Sequence, residues 1–235
     1  MSRAILVTGA SKGIGLATAR RLAAEGWAVI GLARTRPDDF PGDFVTADLS
    51  DAAATQAIAA RLAARGDVLG LVSNAGVARS ESFGTVDPAD FAALLDINLR
   101  PTLQLAQALL PAMQAAGYGR IVTVTSLVTR GWPFRTSYAA AKAALESLTR
   151  TIAVEQARSG ITANAVAPGP TETALFRANN PVGSDGEARY LAQIPMGRLG
   201  RQDEVAAAIA FLASQAAGFI TGQTLFVDGG ASLGR

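Results

Sequence analysis

The sequence predicts an α/β fold in which seven parallel strands form one doubly wound sheet with helices on both faces. Three observations lead there. Short apolar runs rich in β-branched residues alternate with longer Ala/Leu-rich stretches of helical period, the pattern of a sheet buried on both sides. A glycine-rich turn stands between the first apolar run and the first helical stretch. The 235 residues, 49% hydrophobic and 17% charged, suffice for one well-buried domain spanning 1–235, and no linker, repeat or low-complexity tract divides them.

Taken in order, a first strand is expected over residues 4–7 and a helix over 14–25, opened by the glycine turn. The second strand, 28–32, runs into Ala33-Arg34. Residues 34–43 carry two prolines and are too short and broken for a helix, so a loop should cross to a third strand at 44–47. Helix 52–64 and strand 68–73 follow, the strand ending in Ser73-Asn74-Ala75-Gly76. In the long helix 88–115, Pro101 cannot donate to the carbonyl of Ile97, so a local kink is expected beside Asn98. Strand 120–125 leads to Ser126, helix 137–158 follows, and strand 162–167 ends at Pro168-Gly169. Residues 171–195 exceed ordinary loop length and are expected to be an irregular lid beside the strand ends. Helix 202–213 and strand 223–227 complete the chain.

Composition narrows the chemistry. Cysteine is absent, which excludes disulfides, thiolate nucleophiles and thiolate metal sites. Histidine is absent too, so acid–base work falls to Tyr, Lys, Asp or Glu, and no metal is expected. The net charge of +2 is made of scattered Arg, Lys and acids rather than a basic run, so no nucleic-acid partner is expected. No apolar run approaches the roughly 20 residues of a membrane span, and a cytoplasmic, unprocessed chain without a membrane partner is expected.

Two local patterns carry chemistry. The turn reads Thr8-Gly9-Ala10-Ser11-Lys12-Gly13-Ile14-Gly15. Glycines in that place permit a tight turn and let the backbone approach a pyrophosphate, whose charge is favoured by the free N–H groups and dipole at a helix start. A plain strand-to-helix connection is the competing reading, and the spacing lacks the Gly-Lys-Ser/Thr ending of an ATPase loop. The second pattern is Tyr138 with Lys142. Four residues apart on a helix, they share one face, with Ser126 at the end of the preceding strand, where doubly wound folds place ligands. A phenol near pKa ~10 is a poor base at neutral pH, and a nearby ammonium favours its ionised form.

The turn resembles that of the short-chain dehydrogenase/reductase family, which reads T-G-x-x-x-G-x-G. The likeness continues through Ser73-Asn74-Ala75-Gly76, Asn98, Ser126, Tyr138-x-x-x-Lys142, Pro168-Gly169 and Val227-Asp228-Gly229-Gly230, essentially the whole chain. The tail from Pro195-Met196-Gly197-Arg198-Leu199-Gly200 onward is similar to the 3-oxoacyl-carrier-protein reductase branch.

The resemblance implies a Rossmann-type fold and hydride transfer between a small-molecule ketone and a secondary alcohol. Tyr138 would move the proton, Ser126 orient the substrate oxygen, and Lys142 hold the nicotinamide ribose and lower the Tyr138 pKa. Asn98 would anchor a water leading from Lys142 to solvent. For the cofactor it implies Gly9, Ser11, Lys12, Gly13, Ile14 and Gly15 at the pyrophosphate and Asp48 and Leu49 at the adenine. Asn74, Ala75 and Gly76 would line the adenosine side. Pro168, Gly169, Thr171 and Thr173 would pack by the nicotinamide, with Tyr138 and Lys142. Ala33 stands where relatives using NAD carry an Asp, and Arg34 and Lys12 are placed for a 2′-phosphate, which points to NADP(H) over NAD(H). Two readings stay open at Asp48 and Asn98. Asp48 can instead cap the helix near Ala52, where Ser50 and Asp51 are better placed, and Asn98 can satisfy backbone groups loosened by Pro101.

Leu127, Val128, Trp132, Phe134, Phe176 and Tyr190 flank the centre and suggest an apolar pocket. A carrier-bound acyl substrate is the alternative, with Arg130, Arg135 and Arg177 as scattered docking cations. A dinucleotide sensor without activity is disfavoured by the complete Ser126, Tyr138, Lys142 and Asn98 set. Family likeness also implies a homotetramer or dimer, with the long 137–158 helix and the last strand at its interfaces.

Overall fold

The computed structural model describes residues 3–233. Seven strands appear, β1 (Ala4–Thr8), β2 (Ala28–Ala33), β3 (Asp43–Thr46), β4 (Val68–Ser73), β5 (Gly119–Val124), β6 (Ile161–Pro168) and β7 (Thr224–Val227). All pair in parallel, in the order β3-β2-β1-β4-β5-β6-β7. The chain winds outward from β1 to β3, then returns to place β4 against β1. The crevice beyond the strand ends at that reversal is where such folds bind ligands.

Helices α1 (Gly13–Ala24), α2 (Ala52–Ala63), α3 (Pro88–Ala116), α4 (Thr136–Gln156), α5 (Ala174–Asn179), α6 (Asp185–Leu191) and α7 (Gln202–Ala213) connect the strands. Every residue of β1, β4, β5 and β6 is buried, whereas the edge strands β3 and β7 are only partly covered. Side chains alternate across the sheet. Ala4 and Leu6 join Ile30, Ala59, Leu62, Leu105, Leu109 and Met113 beneath α2 and α3. Ile5 and Val7 join Val29, Leu22, Val205 and Ile209 beneath α1 and α7.

The sequence-derived elements recur within a few residues of their expected bounds, and residues 34–42 form a loop as expected. One difference has a physical cause. Residues 171–195 are not irregular throughout, because they contain α5 and α6, started by Thr173 Oγ1 accepting from Phe176 N–H and Ser184 Oγ accepting from Glu187 N–H. Six or seven residues are too few to display a helical period. Helix α3 contains both Pro101 and Pro111, and buried Leu94, Leu105, Leu109 and Met113 hold its inner face on both sides of Pro101. No helix among the described residues is long and apolar enough to cross a membrane.

Candidate active site

The glycine turn is folded as its composition requires. Gly9 and Gly13 take left-handed backbone angles, φ 66° and 61°. A Cβ on Gly15 would lie 2.2 Å from the Gly9 carbonyl oxygen, so only glycine lets the turn close there. Asn74 clamps the turn from the end of β4: its N–H and that of Ala75 donate to Thr8 Oγ1 at 3.0 Å each, and its Nδ2 donates to the carbonyls of Thr8 (3.0 Å) and Gly9 (3.3 Å). Helix α1 then opens at Lys12 with no capping side chain and no acid in its first turn. Its first N–H groups and positive dipole end are thus suited to an external anion.

Beside this cradle, Gly9 N–H donates to the Leu32 carbonyl, which brings the turn next to the end of β2 and to Arg34. Arg34 and Lys12 are exposed and form no salt bridge with another described residue. The Asp48 carboxyl is held below its ordinary value, first by the Ser50 backbone N–H at 2.9 Å, with Arg34 contributing least. Asp51, not Asp48, caps α2 by accepting from Ala54 N–H. Leu49 is buried below, its carbonyl accepting from Arg100 Nη2 at 3.1 Å.

The reaction-centre candidates converge at the ends of β4 and β5. Lys142, 2% exposed, donates from Nζ to the Val124 carbonyl at 2.8 Å. Burial pulls its pKa from 10.5 down to about 8. The Tyr138 ring centre lies 5.7 Å from that nitrogen, and the Ser126 hydroxyl is near enough to the phenol to favour its ionised form. The expected lowering of the phenol pKa by Lys142 is not what this geometry produces. Burial pushes the phenol above its ordinary value, while the Ser126 hydroxyl and the charge of Arg135 oppose it.

Asn98 is buried, Oδ1 accepting from Val77 N–H (3.2 Å) and Nδ2 donating to the carbonyls of Val77 (3.0 Å) and Leu94 (2.8 Å). Gly76 is where these meet: a Cβ there would lie 2.6 Å from Asn98 Oδ1 and 3.1 Å from Lys142 Nζ. A hydroxyl, a phenol and an ammonium thus stand at one strand-end crevice, next to a turn built for phosphate.

Against this arrangement, a family profile described as Enoyl-(Acyl carrier protein) reductase matches residues 9–232. A solved "short chain dehydrogenase/reductase family protein" superimposes with a TM-score of 0.89 at 40% identity, covering 98% of this chain and 97% of its own. The chain belongs to the short-chain dehydrogenase/reductase family. It is 40% identical over 235 residues to 3-oxoacyl-[acyl-carrier-protein] reductase FabG of Escherichia coli (strain K12), with 96% of this chain and 95% of that protein covered. Cis-4-hydroxycyclohexanecarboxylate dehydrogenase of Sinomonas cyclohexanicum is 42% identical over 241 residues, with 97% and 96% covered. Among structures, a gluconate 5-dehydrogenase from Burkholderia cenocepacia J2315 in complex with NADP and tartrate gives a TM-score of 0.90 at 36% identity, covering 100% of this chain and 97% of that one.

In this short-chain dehydrogenase/reductase, Gly169 passes close to the C-terminal motif: its N–H donates to the Val227 carbonyl at 3.0 Å, and a Cβ on it would lie 2.7 Å from Asp228 Cα. Pro168 pairs in register with Val227. Thr171 donates to the Gly169 carbonyl at 2.9 Å, and Thr173 caps α5. The segment after Thr171 packs on Leu127 through Ile194 and Leu199, with Trp132 and Phe176 alongside. Trp132 stacks on Tyr190 (5.6 Å between centres), which also meets the edge of Phe176 at 5.2 Å. Arg177, a candidate docking cation, is instead paired with Glu172 and Glu187. Arg135 donates to the Arg79 carbonyl.

Reasoning from sequence missed Glu81 and Arg100. Arg100 reaches from α3 to the carbonyls of Leu49 and Ser50, while Glu81 reaches the start of α4. Neither stands in a local motif that could have flagged it. A separate depression at the β3 edge, lined by Ile30, Phe44, Arg36, Arg61 and Arg65, lies away from these groups, and Arg65 there is tied to Asp43 and Asp67. Among the described residues, no cluster of three or more His, Cys, Asp or Glu side chains is arranged to hold a metal.

Proposed function

We propose that this protein is an NADP(H)-dependent oxidoreductase that interconverts a ketone and a secondary alcohol, with Tyr138 as the acid–base group. The observation that carries the reading is the meeting of Tyr138, Ser126, Lys142 and Asn98 beside an uncapped, glycine-lined helix start. The residues suit a nicotinamide dinucleotide: Gly9, Ser11, Gly13, Ile14 and Gly15 for the pyrophosphate, and the unpaired cations Lys12 and Arg34 for a 2′-phosphate. Asp48, Leu49, Asn74, Ala75 and Gly76 would line the adenosine half. Pro168, Gly169, Thr171 and Thr173 would line the nicotinamide half. Bound there, the nicotinamide supplies or takes the hydride.

The chain's own groups manage the oxygen and its proton. Ser126 donates a hydrogen bond to the substrate oxygen and holds the carbonyl carbon in line. Tyr138, kept protonated at neutral pH by burial, hands its proton to that oxygen as reduction proceeds. The resulting phenolate is favoured by the nearby Ser126 hydroxyl and the charge of Arg135. Both protons of Asn98 Nδ2 are already used, so a relay water beside Lys142 would donate to the second lone pair of Asn98 Oδ1.

Assembly into a homotetramer accords with apolar surface on the expected faces. Val154 of α4 is 81% exposed, and Phe219 and Leu225 stand out beside the open edge strand β7. Light scattering on the purified protein tests this, and a monomer at micromolar concentration overturns it.

Optical monitoring of NADPH and NADH oxidation across small ketones, diketones and 3-oxoacyl thioesters tests the activity. Turnover with NADPH is expected. Confinement of turnover to thioesters would favour the carrier-bound alternative that the 40% identity to 3-oxoacyl reductases supports. Tight NADPH binding with no turnover throughout would replace the enzyme reading by a sensor. The Tyr138→Phe protein should bind NADPH normally and lose at least about a hundredfold in kcat. A near-normal rate would remove Tyr138 from the mechanism.

A further inference from the structure

Helix α4 carries both Tyr138 and Lys142, yet its own sequence starts it poorly. Its N-cap is Arg135, at φ −133° and ψ 28°, whose side chain caps nothing, and no acid stands in its first turn. A helix end of this kind leaves N–H groups unpaired and a positive dipole end uncompensated. Tyr138 is the third residue of this helix. Lys142, one turn on, is tied to the sheet through the Val124 carbonyl, so the phenol depends more on the first turn being well made.

The missing cap comes from 56 positions earlier in the chain: Glu81 Oε1 accepts from Ser137 N–H at 2.5 Å. Two further bonds hold the same segments together. Glu81 N–H donates to the Phe134 carbonyl at 3.1 Å, and Arg135 Nη1 donates to the Arg79 carbonyl at 3.0 Å. Glu81 and Arg135 form an isolated parallel bridge. Residues 79–81, which follow the Asn74-Ala75-Gly76 segment, therefore strap the loop that leads into α4. That loop is strained. Phe134 has φ 60°, and among the described residues no other non-glycine residue has a positive φ. The left-handed conformation is unfavourable for a residue of this kind and persists only where surrounding bonds impose it.

We propose that Glu81 is a positioning residue for the reaction centre: its carboxylate caps α4 from outside the helix and so fixes Tyr138 against Ser126. This rests on the reading of Tyr138 as the acid–base group. A carboxylate suits the task because it both accepts the Ser137 N–H and opposes the helix dipole. Displacing a reacting group by about 1 Å can cost about a hundredfold in rate, so a frayed first turn should appear in kcat before it appears in binding.

The experiment compares wild type, Glu81→Ala and Glu81→Gln as full-length proteins. It measures kcat, KM, NADPH Kd, the thermal midpoint and hydrogen exchange at the amides of residues 137–139. Glu81→Ala is expected to lower kcat by about ten- to a hundredfold while KM and the NADPH Kd stay within about threefold. Exchange at 137–139 should quicken. Glu81→Gln, which keeps an acceptor for Ser137 N–H, should regain most of the lost rate. A fully folded Glu81→Ala protein with wild-type kcat overturns the proposal even if exchange quickens, since the cap would then be only structural. Glu81→Gln no faster than Glu81→Ala overturns it as well. An inactive wild type fails the reading on which the proposal rests, and is thereby told apart from a failure of Glu81 itself.

Discussion

Replacing Lys142 by Met separates what this lysine does for the chemistry from what it costs the fold. Its ammonium is buried and bonded to the Val124 carbonyl at 2.8 Å. Burial lowers its pKa from 10.5 to about 8, because desolvation penalises the charged form. In the unfolded chain the group keeps its proton to the higher value. Between pH 8 and 10.5 the unfolded state therefore binds more protons than the native one, and stability rises with pH in that window. Below about pH 8 both states are protonated and the full penalty is present. At about 1.4 kcal/mol per pH unit, the displacement amounts to on the order of 3 kcal/mol. Methionine carries no such penalty but leaves the Val124 carbonyl without its donor, a loss of about 1–2 kcal/mol.

The Lys142→Met protein should thus be more stable than wild type by about 1–2 kcal/mol at pH 7, and the difference should move by about 3 kcal/mol by pH 10.5, leaving wild type the more stable by about 1–2 kcal/mol. Its turnover should be lost at every pH. Urea unfolding of both proteins from pH 7 to 10.5 measures the difference. Histidine and cysteine are absent and Lys12 is the only other lysine, so few groups titrate in this window, and those common to both proteins largely cancel. Parallel stability curves would refute the account of Lys142 as a buried cation with a lowered pKa.

Three further substitutions probe the cofactor cradle, the centre and the scaffold. Arg34→Asp should weaken NADPH at least about tenfold while leaving NADH within about threefold, because it replaces a phosphate-pairing cation by a repelling charge; calorimetric titration with both cofactors checks this, and an unchanged preference removes Arg34 from the argument. Gly76→Ala places a Cβ 2.6 Å from Asn98 Oδ1 and 3.1 Å from Lys142 Nζ, and Asn98 is held by three hydrogen bonds, so stability should fall by about 1–3 kcal/mol with a marked loss of kcat. Urea unfolding and steady-state rates measure both, and wild-type values would show that the centre has room to give. Arg120, buried in β5, donates to the carbonyls of Ser214, Gly119 and Gly160 and lies over the Tyr118 ring; Arg120→Ala should cost about 2–4 kcal/mol with NADPH binding unchanged, as followed by the urea midpoint.

Much of this protein is encoded by residues that are neighbours along the chain. Strands buried on both faces betray themselves as apolar runs, and a turn that needs left-handed Gly9 and Gly13 can be read from glycine positions alone. Tyr138 and Lys142 are one helical turn apart, so their shared face follows from spacing, and Ser126 is placed by the end of its strand. The tertiary structure alone decided whatever depends on groups brought from far along the chain. The direction of the Tyr138 pKa follows from how much protein surrounds the phenol, and there burial outweighs its favourable neighbours. The pairing of Arg177 with Glu172 and Glu187 withdraws a cation that its sequence position left free to dock a partner. Helices α5 and α6 are too short to announce a period and are set by their caps and by aromatic packing against Trp132. The cap on α4 crosses 56 positions from Glu81 to Ser137, and a bond of that reach leaves no mark in either local sequence, because only the folded sheet brings the two segments together.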